Sequence, residues 1–322
     1  MRVLILGATG FIGGQIARVA CSSGLEVHGL RRRPGSLGST AGLDLAWHDG
    51  DLSDLASLSA AMRSCEVVYH AAAYYPYSDR DARVAVEKAR AEITVVLDAA
   101  RRAGVRRLVY TSSLTTIGAP PAGSTRLADE RDAYQPGSAR SAYYEAKWVM
   151  EQAALAAAGP DLEVIALVPT AVFGPGDVKP VTGQVLLDLA RGRFPIAVHA
   201  VTNFVDVREV AEAHVAAAAA GQSGQRYIIG GRNMDIAQAL GIAADVSGMQ
   251  PPLLALPRGV VVGLLSVVRG LPLPIPELVK GLAQWQPLNC EKGWRTFGIT
   301  PRQFAETAYD AIQWFRENGY LD

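Results

Sequence analysis

The chain has 322 residues, 49% of them hydrophobic, and its 31 basic residues balance 31 acidic ones. This composition supports a large buried core, and the balanced charge excludes a bulk electrostatic attraction to nucleic acid or to an anionic membrane. Three widely spaced cysteines, Cys21, Cys65 and Cys290, give neither a disulfide framework nor a metal knuckle, and the five histidines show no ligand spacing. We therefore predict a cytoplasmic protein in a reducing compartment, with no metal and no nucleic-acid partner.

The chain opens on a short apolar run at residues 3–6, which is too short for a secretion signal and predicts a strand buried on both faces. After a glycine-rich turn, apolar residues recur at helical spacing from Ile12 to Ala20. Further apolar runs predict strands at residues 25–30, 67–71, 108–111 and 164–168, and helical patterns predict helices at residues 85–103 and about 142–158. This alternation predicts an α/β fold, a doubly wound parallel sheet with helices on both faces.

Beyond about residue 174, prolines and glycines repeatedly interrupt the periodic pattern. Short elements of this kind are typical of a region packed over the carboxyl ends of the strands, where open α/β sheets bind ligands. The most apolar run in this region, residues 259–268, is about half as long as a bilayer requires, so we predict no membrane span. We expect one domain over residues 1–174 and a mainly substrate-binding region over residues 175–322, some segments of which return to the first domain.

The motif Gly7-Ala8-Thr9-Gly10-Phe11-Ile12-Gly13 lies between the first predicted strand and the first predicted helix. Glycines at these points permit a tight turn, a close approach of backbone to a pyrophosphate, and contact between helix and strand. The N-terminus of the helix adds free N–H groups and a partial positive charge. We predict that a dinucleotide binds at Gly7, Thr9, Gly10, Phe11, Ile12 and Gly13.

The Gly-x-x-Gly-x-x-Gly spacing of this motif resembles the short-chain dehydrogenase/reductase superfamily, in particular its extended branch. The resemblance implies a Rossmann-type sheet, with residues 1–174 as the dinucleotide-binding domain. It also implies that Asp51 and Leu52 lie against the adenine. A helix N-cap is the alternative role for Asp51 or Asp54.

Two further segments resemble parts of the family that lie close to the cofactor. His70-Ala71-Ala72-Ala73 matches the His-Ala-Ala segment, which implies that Ala71 and Ala72 border the cofactor, while His70 is interpreted as structural. The segment from Leu167 to Gly176 matches the loop over the nicotinamide, which implies contacts from Pro169 and Val172.

The end of the second predicted strand carries three consecutive arginines, Arg31, Arg32 and Arg33, and no acid. An acid at this point binds the adenosine ribose 2′-hydroxyl, whereas an arginine accommodates a 2′-phosphate. The alternative is a solvated basic turn. We predict that NADP(H) is preferred over NAD(H), with Arg32 first and Arg31 second as the phosphate ligand.

The sequence Tyr143-Tyr144-Glu145-Ala146-Lys147 contains a tyrosine and a lysine four residues apart, which share one face of a helix. A nearby ammonium group lowers the pKa of a phenol, which lets the phenol act as an acid or a base. Such pairs also occur by chance on helix surfaces. The strand end Tyr-Thr-Ser-Ser-Leu resembles that of the extended family, which implies a catalytic set of Ser113, Tyr143 and Lys147, with Ser112 as the fallback. Lys147 is also expected to bind the nicotinamide ribose of the cofactor.

The chain departs from the family in the helix that follows His70. The segment Ala89-Arg90-Ala91-Glu92-Ile93 lacks the asparagine that relatives usually carry before a Gly-Thr pair. Nucleotide-sugar enzymes of the branch typically carry a Gly-Asp-Gly turn and an arginine before a block such as Asn203-Phe204-Val205. Both features are absent from residues 194–203. Because a diphosphate needs cationic partners, their absence argues against a nucleotide-sugar substrate.

We therefore predict an NADPH-dependent reductase for a carbonyl on a mostly apolar small molecule, reversible as an alcohol oxidation. The resemblance is to dihydroflavonol-reductase-like, 3β-hydroxysteroid-dehydrogenase-like and hopanoid-associated sugar-epimerase-like proteins. An epimerase or dehydratase acting on a sugar or polyol, and a non-catalytic NADP(H)-sensing protein, are the alternatives. Tyr74, Tyr75 and Tyr77 either line the pocket or form a surface loop.

Apolar residues clustered between prolines near the C-terminus favour an apolar substrate: Leu253, Leu254, Val260, Val261, Val262, Leu264 and Leu265. Ordinary core or a subunit contact is the alternative for these side chains. The resemblance implies a homodimer formed by pairing of the long helices, and the alanine-rich faces at residues 91–103 and 147–158 would allow close packing.

Overall fold

The computed structural model describes residues 1–72, 81–139, 141–193, 196–268 and 281–321. Its strands are β1 (Arg2–Leu6), β2 (Glu26–Arg31), β3 (Ala46–Asp49), β4 (Val67–His70), β5 (Arg107–Thr111), β6 (Glu163–Pro169), β7 (Ala171–Phe173), β8 (Ile196–His199), β9 (Val201–Asp206), β10 (Arg226–Ile229), β11 (Arg232–Asp235) and β12 (Leu254–Pro257). Its helices are α1 (Phe11–Ser22), α2 (Leu55–Met62), α3 (Ala82–Ala103), α4 (Ala142–Ala156), α5 (Gln184–Ala190), α6 (Val207–Ala220), α7 (Ile236–Ser247), α8 (Arg258–Val268), α9 (Glu291–Phe297) and α10 (Phe304–Glu317).

Seven strands form one parallel sheet in the order β10-β6-β5-β4-β1-β2-β3. Because the chain runs outward in both directions from β1, the strand order reverses between β1 and β4. In open sheets of this kind the ligand binds at the carboxyl ends of the strands beside that reversal. The predicted α/β class, a doubly wound parallel sheet, is confirmed.

The side chains of each central strand alternate between two apolar cores, one on each face of the sheet. Val3 and Ile5 face the core shared with α1 and α6, whereas Leu4 and Leu6 face the core shared with α2, α3 and α4. All four of these side chains are fully buried. Covering both faces explains why the strand sequences are continuous apolar runs rather than alternating ones.

The later part of the chain adds two small sheets and a third core. One sheet has the order β11-β9-β7, the other pairs β12 with β8, and α5, α7 and α10 pack beside them. Phe173, Phe204 and Phe304 form an aromatic cluster in this core, with the Phe204 and Phe304 ring centroids 4.9 Å apart. Because β10 and α6 return to the large sheet, the domain division near residue 174 stays a prediction.

The sequence patterns located most elements of the large sheet within a few residues. The structure extends the helix predicted at residues 85–103 back to Ala82 and ends the one predicted at about 142–158 at Ala156. Four elements of this part of the fold were not predicted: β3, α2, α6 and β10. Of these, β3 and α2 lie near the predicted adenosine site. Tyr74, Tyr75 and Tyr77 lie outside the described residues.

In the described part of the chain, every helix is too short or too polar to cross a lipid bilayer. The same residues contain no cluster of three or more histidine, cysteine, aspartate or glutamate side chains arranged to hold a metal ion.

Candidate active site

The glycine motif forms a tight turn between β1 and α1 at the reversal point of the sheet. Gly10 is the N-cap of α1 in an extended conformation, and no described side chain caps this helix end. The first N–H groups of α1 are therefore available to an external acceptor, as a pyrophosphate requires.

Two glycines of this turn have no space for a side chain. Gly7 has a φ of +89°, and a Cβ atom there would lie 2.7 Å from the backbone nitrogen of Ala72 at the end of β4. A Cβ atom at Gly13 would lie 2.1 Å from the carbonyl oxygen of Gly7. The close backbone packing of this turn thus depends on glycine at both positions. Together with the uncapped N-terminus of α1, the turn fits a dinucleotide pyrophosphate.

Replacing Gly13 by alanine should therefore disrupt the turn. Overpacking of this kind costs roughly 1–3 kcal/mol of the free energy of unfolding, and we expect NADPH binding to weaken with it. Gly241→Ala is the matched control, because Gly241 lies in α7 with open space around it, and alanine there should stabilise the helix slightly. Chemical denaturation and NADPH fluorescence titration measure the two effects. Equal stability and cofactor affinity in Gly13→Ala and wild type would contradict the close packing.

The outer side of the glycine turn is held by two residues that the sequence analysis did not identify. The Ser39 hydroxyl donates to the carbonyl oxygen of Gly10 at 2.5 Å, and the Gln15 side-chain amide donates to the carbonyl oxygen of Pro175 at 2.8 Å. Both contacts join segments far apart in the chain. No local pattern signals them, because each depends on how the loops after β2 and β7 fold back.

At the end of β2 the consecutive arginines have different surroundings. The Arg31 Nε donates to Asp49 at 2.8 Å, and the Arg31 guanidinium lies 5.2 Å from the ring centroid of Trp47 on β3. Arg32 is exposed and close enough to Asp51 for its charge to help lower the pKa of that carboxyl. Arg31 is therefore held by contacts within the protein, and Arg32 is the more available of the two for a ligand. The assignment of either arginine to the 2′-phosphate stays a prediction.

The two aspartates that precede α2 also have different hydrogen-bond partners. Asp54 is the N-cap of α2 and accepts from the backbone N–H groups of Ala56 and Ser57. Asp51 instead accepts from the backbone N–H and the hydroxyl of Ser53, and these bonds are the main reason that its pKa is lowered. The N-cap alternative thus belongs to Asp54, and Asp51 remains the candidate for the adenine.

Tyr143 and Lys147 lie one turn apart on α4, at the carboxyl end of the sheet. Lys147 is only 7% exposed, and burial lowers its pKa to about 8, against the opposing effect of the Glu92 and Glu151 charges. Tyr143 is half-buried. The competing Tyr144 is buried, with its ring centroid 5.6 Å from that of Tyr134. Tyr144 thus belongs to an aromatic cluster beneath the helix.

The two serines at the end of β5 have different hydrogen-bond partners. Ser112 is 4% exposed and donates to the buried carboxylate of Glu151, which also accepts from Thr116 at 2.7 Å. The Ser113 hydroxyl oxygen accepts a bond of 3.3 Å from the backbone N–H of Thr115. Because Ser113 acts there as an acceptor, its hydroxyl proton can be donated elsewhere, whereas that of Ser112 is used by Glu151.

Comparison with known proteins identifies the protein family of this chain. Residues 3–230 match the model of the NAD dependent epimerase/dehydratase family. The chain belongs to this family. It is an NAD(P)-dependent oxidoreductase of the extended short-chain dehydrogenase/reductase type, as its glycine and Tyr-x-x-x-Lys motifs indicated.

Full-length relatives and solved structures include both reductases and epimerases. The chain is 29% identical to sterol demethylase protein B of Methylococcus capsulatus, covering all of both chains. It is also 29% identical to a putative dihydroflavonol 4-reductase of Synechocystis, covering 98% of this chain and 95% of the relative. The crystal structure of a nucleoside-diphosphate-sugar epimerase from Pseudomonas aeruginosa matches with a TM-score of 0.85 at 24% identity, covering 100% and 99% of the two chains, and shows the shared fold.

Two histidines lie near the predicted catalytic residues but are buried and neutral. Burial lowers the pKa of His70 to about 3, with a further contribution from the charge of Lys147. Burial lowers the pKa of His214 to about 4, and its ring bonds to Thr111 at 2.8 Å and to the carbonyl oxygen of Val210 at 2.7 Å. His214 fixes the end of β5, from which Ser113 follows.

The block Asn203-Phe204-Val205-Asp206, which resembles a family segment, has an anchoring role in this oxidoreductase. The Asn203 amide oxygen accepts from the Thr170 hydroxyl and from the backbone N–H of Gly231, both at 2.9 Å. Thr170 lies between Pro169 and Val172, so these bonds fix the loop predicted to cover the nicotinamide. The contacts of Pro169 and Val172 with the cofactor stay predictions.

The apolar residues near the C-terminus that favour an apolar substrate lie on β12, on α8 and just before β12. Leu253 is 90% exposed, and Leu254, Val260 and Leu264 are all exposed as well. These four side chains are therefore not part of the core. The side chain of Leu265 lies outside the described residues. The Gln286 side-chain amide donates at 2.7 Å to the carbonyl oxygen of Gly118, which lies beyond Ser113.

Proposed function

We propose that this oxidoreductase reduces a carbonyl group on a mostly apolar small molecule with NADPH, reversibly with alcohol oxidation. One observation carries the proposal: a buried Lys147 lies one turn from Tyr143 on α4. The Ser113 hydroxyl, which follows β5, accepts a hydrogen bond and so keeps its own proton free to be donated. A sensor that only binds cofactor does not need a tyrosine whose pKa is lowered for proton transfer.

The roles of the three residues follow from their surroundings. The bound dinucleotide would supply the hydride. Ser113 would donate a hydrogen bond to the substrate oxygen, and Tyr143 would transfer its phenol proton to that oxygen. The Lys147 ammonium would stabilise the resulting phenolate, because an opposite charge nearby favours the ionised form.

The preference for NADPH is supported by the charges at the end of β2. No acid occupies this position, and Arg32 is exposed beside Asp51 at the predicted adenosine site. A guanidinium group binds phosphate through strong, charge-assisted hydrogen bonds. The neighbouring Arg31 contacts Trp47 and Asp49, so we assign the 2′-phosphate to Arg32.

The substrate class is supported by three features. Residues 194–203 contain neither the arginine nor the Gly-Asp-Gly turn that would clamp a nucleotide sugar. Exposed apolar side chains on β12 and α8 offer a surface for a non-polar molecule. The full-length relatives include one named for sterol demethylation and one named as a dihydroflavonol reductase.

The test is net oxidation of NADPH, with NADH in parallel, against a panel of apolar ketones and aldehydes. We expect turnover with NADPH. Tight cofactor binding without net consumption on any carbonyl would overturn the proposal in favour of an epimerase, a dehydratase or a sensor, and nucleotide sugars would then be assayed for isomerisation. The homodimer also stays a prediction, which a monomeric mass in solution would contradict.

A further inference from the structure

The two-stranded sheet of β8 and β12 has one buried face and one apolar outer face. Ala197 and Ala255 are register partners, and both belong to the third core. Their neighbours Ile196 and Leu254 are also register partners, and they lie on the opposite face because successive side chains of a strand alternate. Ile196 is 49% and Leu254 53% exposed. A sheet face in contact with water is normally polar, so this apolar face indicates an interaction surface.

The helix that follows β12 extends this surface. α8 contacts both strands of the small sheet, and its exposed Val260 and Leu264 lie one helical turn apart. Leu253, directly before β12, is exposed as well. Single exposed apolar side chains are common, whereas a group from three neighbouring elements marks an interaction site. We call this group the outer apolar face: Ile196, Leu253, Leu254, Val260 and Leu264.

The one charged residue within residues 253–264 is bonded to the body of the protein. Arg258, at the start of α8, donates to the carbonyl oxygens of Ala283 at 2.5 Å and Trp285 at 2.9 Å. These bonds fix the start of the helix. They also satisfy the guanidinium group, and burying an unsatisfied charge in an apolar phase would be costly. The outer apolar face can therefore enter an apolar phase without carrying an unpaired charge with it.

The charges around the outer apolar face favour an anionic partner. Residues 246–276 contain two arginines, Arg258 and Arg269, and no acidic residue. The whole chain has 31 acidic residues among 322, so a segment of this length would ordinarily contain about three. Arg193 is exposed three residues before Ile196 and adds a further positive charge beside the sheet. Apolar side chains flanked by arginines are typical of surfaces that bind anionic lipid.

We propose that the outer apolar face docks on the surface of an anionic phospholipid bilayer without crossing it. A twofold contact with a second copy would instead bring the same arginines together, with no acid in the segment to oppose them. Lipid phosphates supply that negative charge, and the acyl chains accept the apolar side chains. Docking goes beyond the proposed reduction and does not depend on it. It would place the enzyme where mostly apolar molecules partition.

The first experiment is cosedimentation of the full chain with sucrose-loaded vesicles of phosphatidylcholine and phosphatidylglycerol in equal parts, without cofactor or substrate. We expect wild type to bind. Val260→Gln and Leu264→Gln should each lower the partition coefficient roughly 3- to 10-fold, the value of withdrawing one apolar side chain from the bilayer. Val84→Gln is the matched control and should bind as wild type does, because Val84 is exposed on α3, which packs on the large sheet.

The second experiment tests the charge of the lipid. Arg193→Gln should lower binding to the mixed vesicles by about fivefold, the usual contribution of one arginine near an anionic surface. Binding of wild type to vesicles of phosphatidylcholine alone should be weaker, and Arg193→Gln should not lower it further. Equal binding of wild type to both kinds of vesicle overturns the assignment of an anionic lipid.

Three further outcomes separate the alternatives, with circular dichroism confirming that each variant is folded. Absence of vesicle binding by wild type, or equal binding by wild type, Val260→Gln and Leu264→Gln, overturns the inference. A wild-type dimer that dissociates in Leu264→Gln, measured by light scattering without vesicles, overturns it in favour of a contact with a second copy. Vesicle binding by a protein that consumes no NADPH overturns the proposed reductase but leaves the docking surface assigned.

Discussion

Tyr143→Phe should lower kcat for carbonyl reduction by roughly 10²–10⁴-fold, the usual contribution of a positioned general acid. The variant removes one hydroxyl group from a half-buried side chain and leaves Lys147 and Ser113 in place. We therefore expect the Kd for NADPH to change by less than about threefold, a change of under 1 kcal/mol. Steady-state assays with a reducible ketone and fluorescence titration with NADPH separate the two quantities.

Tyr144→Phe is the control for this experiment. Tyr144 is the adjacent tyrosine and packs against Tyr134 in a buried aromatic cluster. Its loss should lower thermal stability slightly, with kcat close to that of wild type. The assignment of the phenol to Tyr143 is wrong if Tyr144→Phe loses activity and Tyr143→Phe keeps it.

Arg32→Ser should raise the KM for NADPH by roughly 10- to 100-fold and leave that for NADH almost unchanged. A hydrogen bond to a charged group is worth about 1.5–3 kcal/mol, and this variant removes the guanidinium assigned to the 2′-phosphate. NADH lacks that phosphate, so the ratio of the two KM values reports the contact directly. The effect should also weaken as salt concentration rises.

Two neighbouring variants make the Arg32 result interpretable. Arg33→Ser removes an exposed charge from the same turn and should change both KM values little. Arg31→Ser removes the contacts with Asp49 and Trp47, so we expect a loss of thermal stability rather than of cofactor preference. If the KM for NADPH rises more in Arg31→Ser than in Arg32→Ser, the residue that binds the 2′-phosphate is Arg31 and not Arg32.

The sequence allowed prediction of those parts of the fold and site that depend on local spacing. Continuous apolar runs identified the central strands, because strands covered on both faces have no polar positions. The glycine turn was predictable because its residues occupy positions where a Cβ atom would collide with backbone. Tyr143 and Lys147 were predictable because one helical turn relates them.

Features that depend on distant segments were not predictable in this way. The choice between Arg31 and Arg32 depends on β3, a four-residue strand that the apolar pattern did not identify. The difference between Ser112 and Ser113 depends on Glu151, which lies on α4 and accepts a hydrogen bond from Ser112 alone of the two. Ser39 and Gln15 carry no local signal, because their partners Gly10 and Pro175 are distant in the chain.

The position of β10 also has a consequence for how the protein is made. β10 pairs with β6, yet β7, β8, β9 and α6 lie between them in the chain. During synthesis, the backbone N–H and C=O groups on one side of β6 therefore have no partner strand until Ile229 has left the ribosome. An unpaired strand edge is where nascent chains aggregate. We therefore expect the interval before β10 is synthesised to be the stage at which the nascent chain is most prone to aggregate.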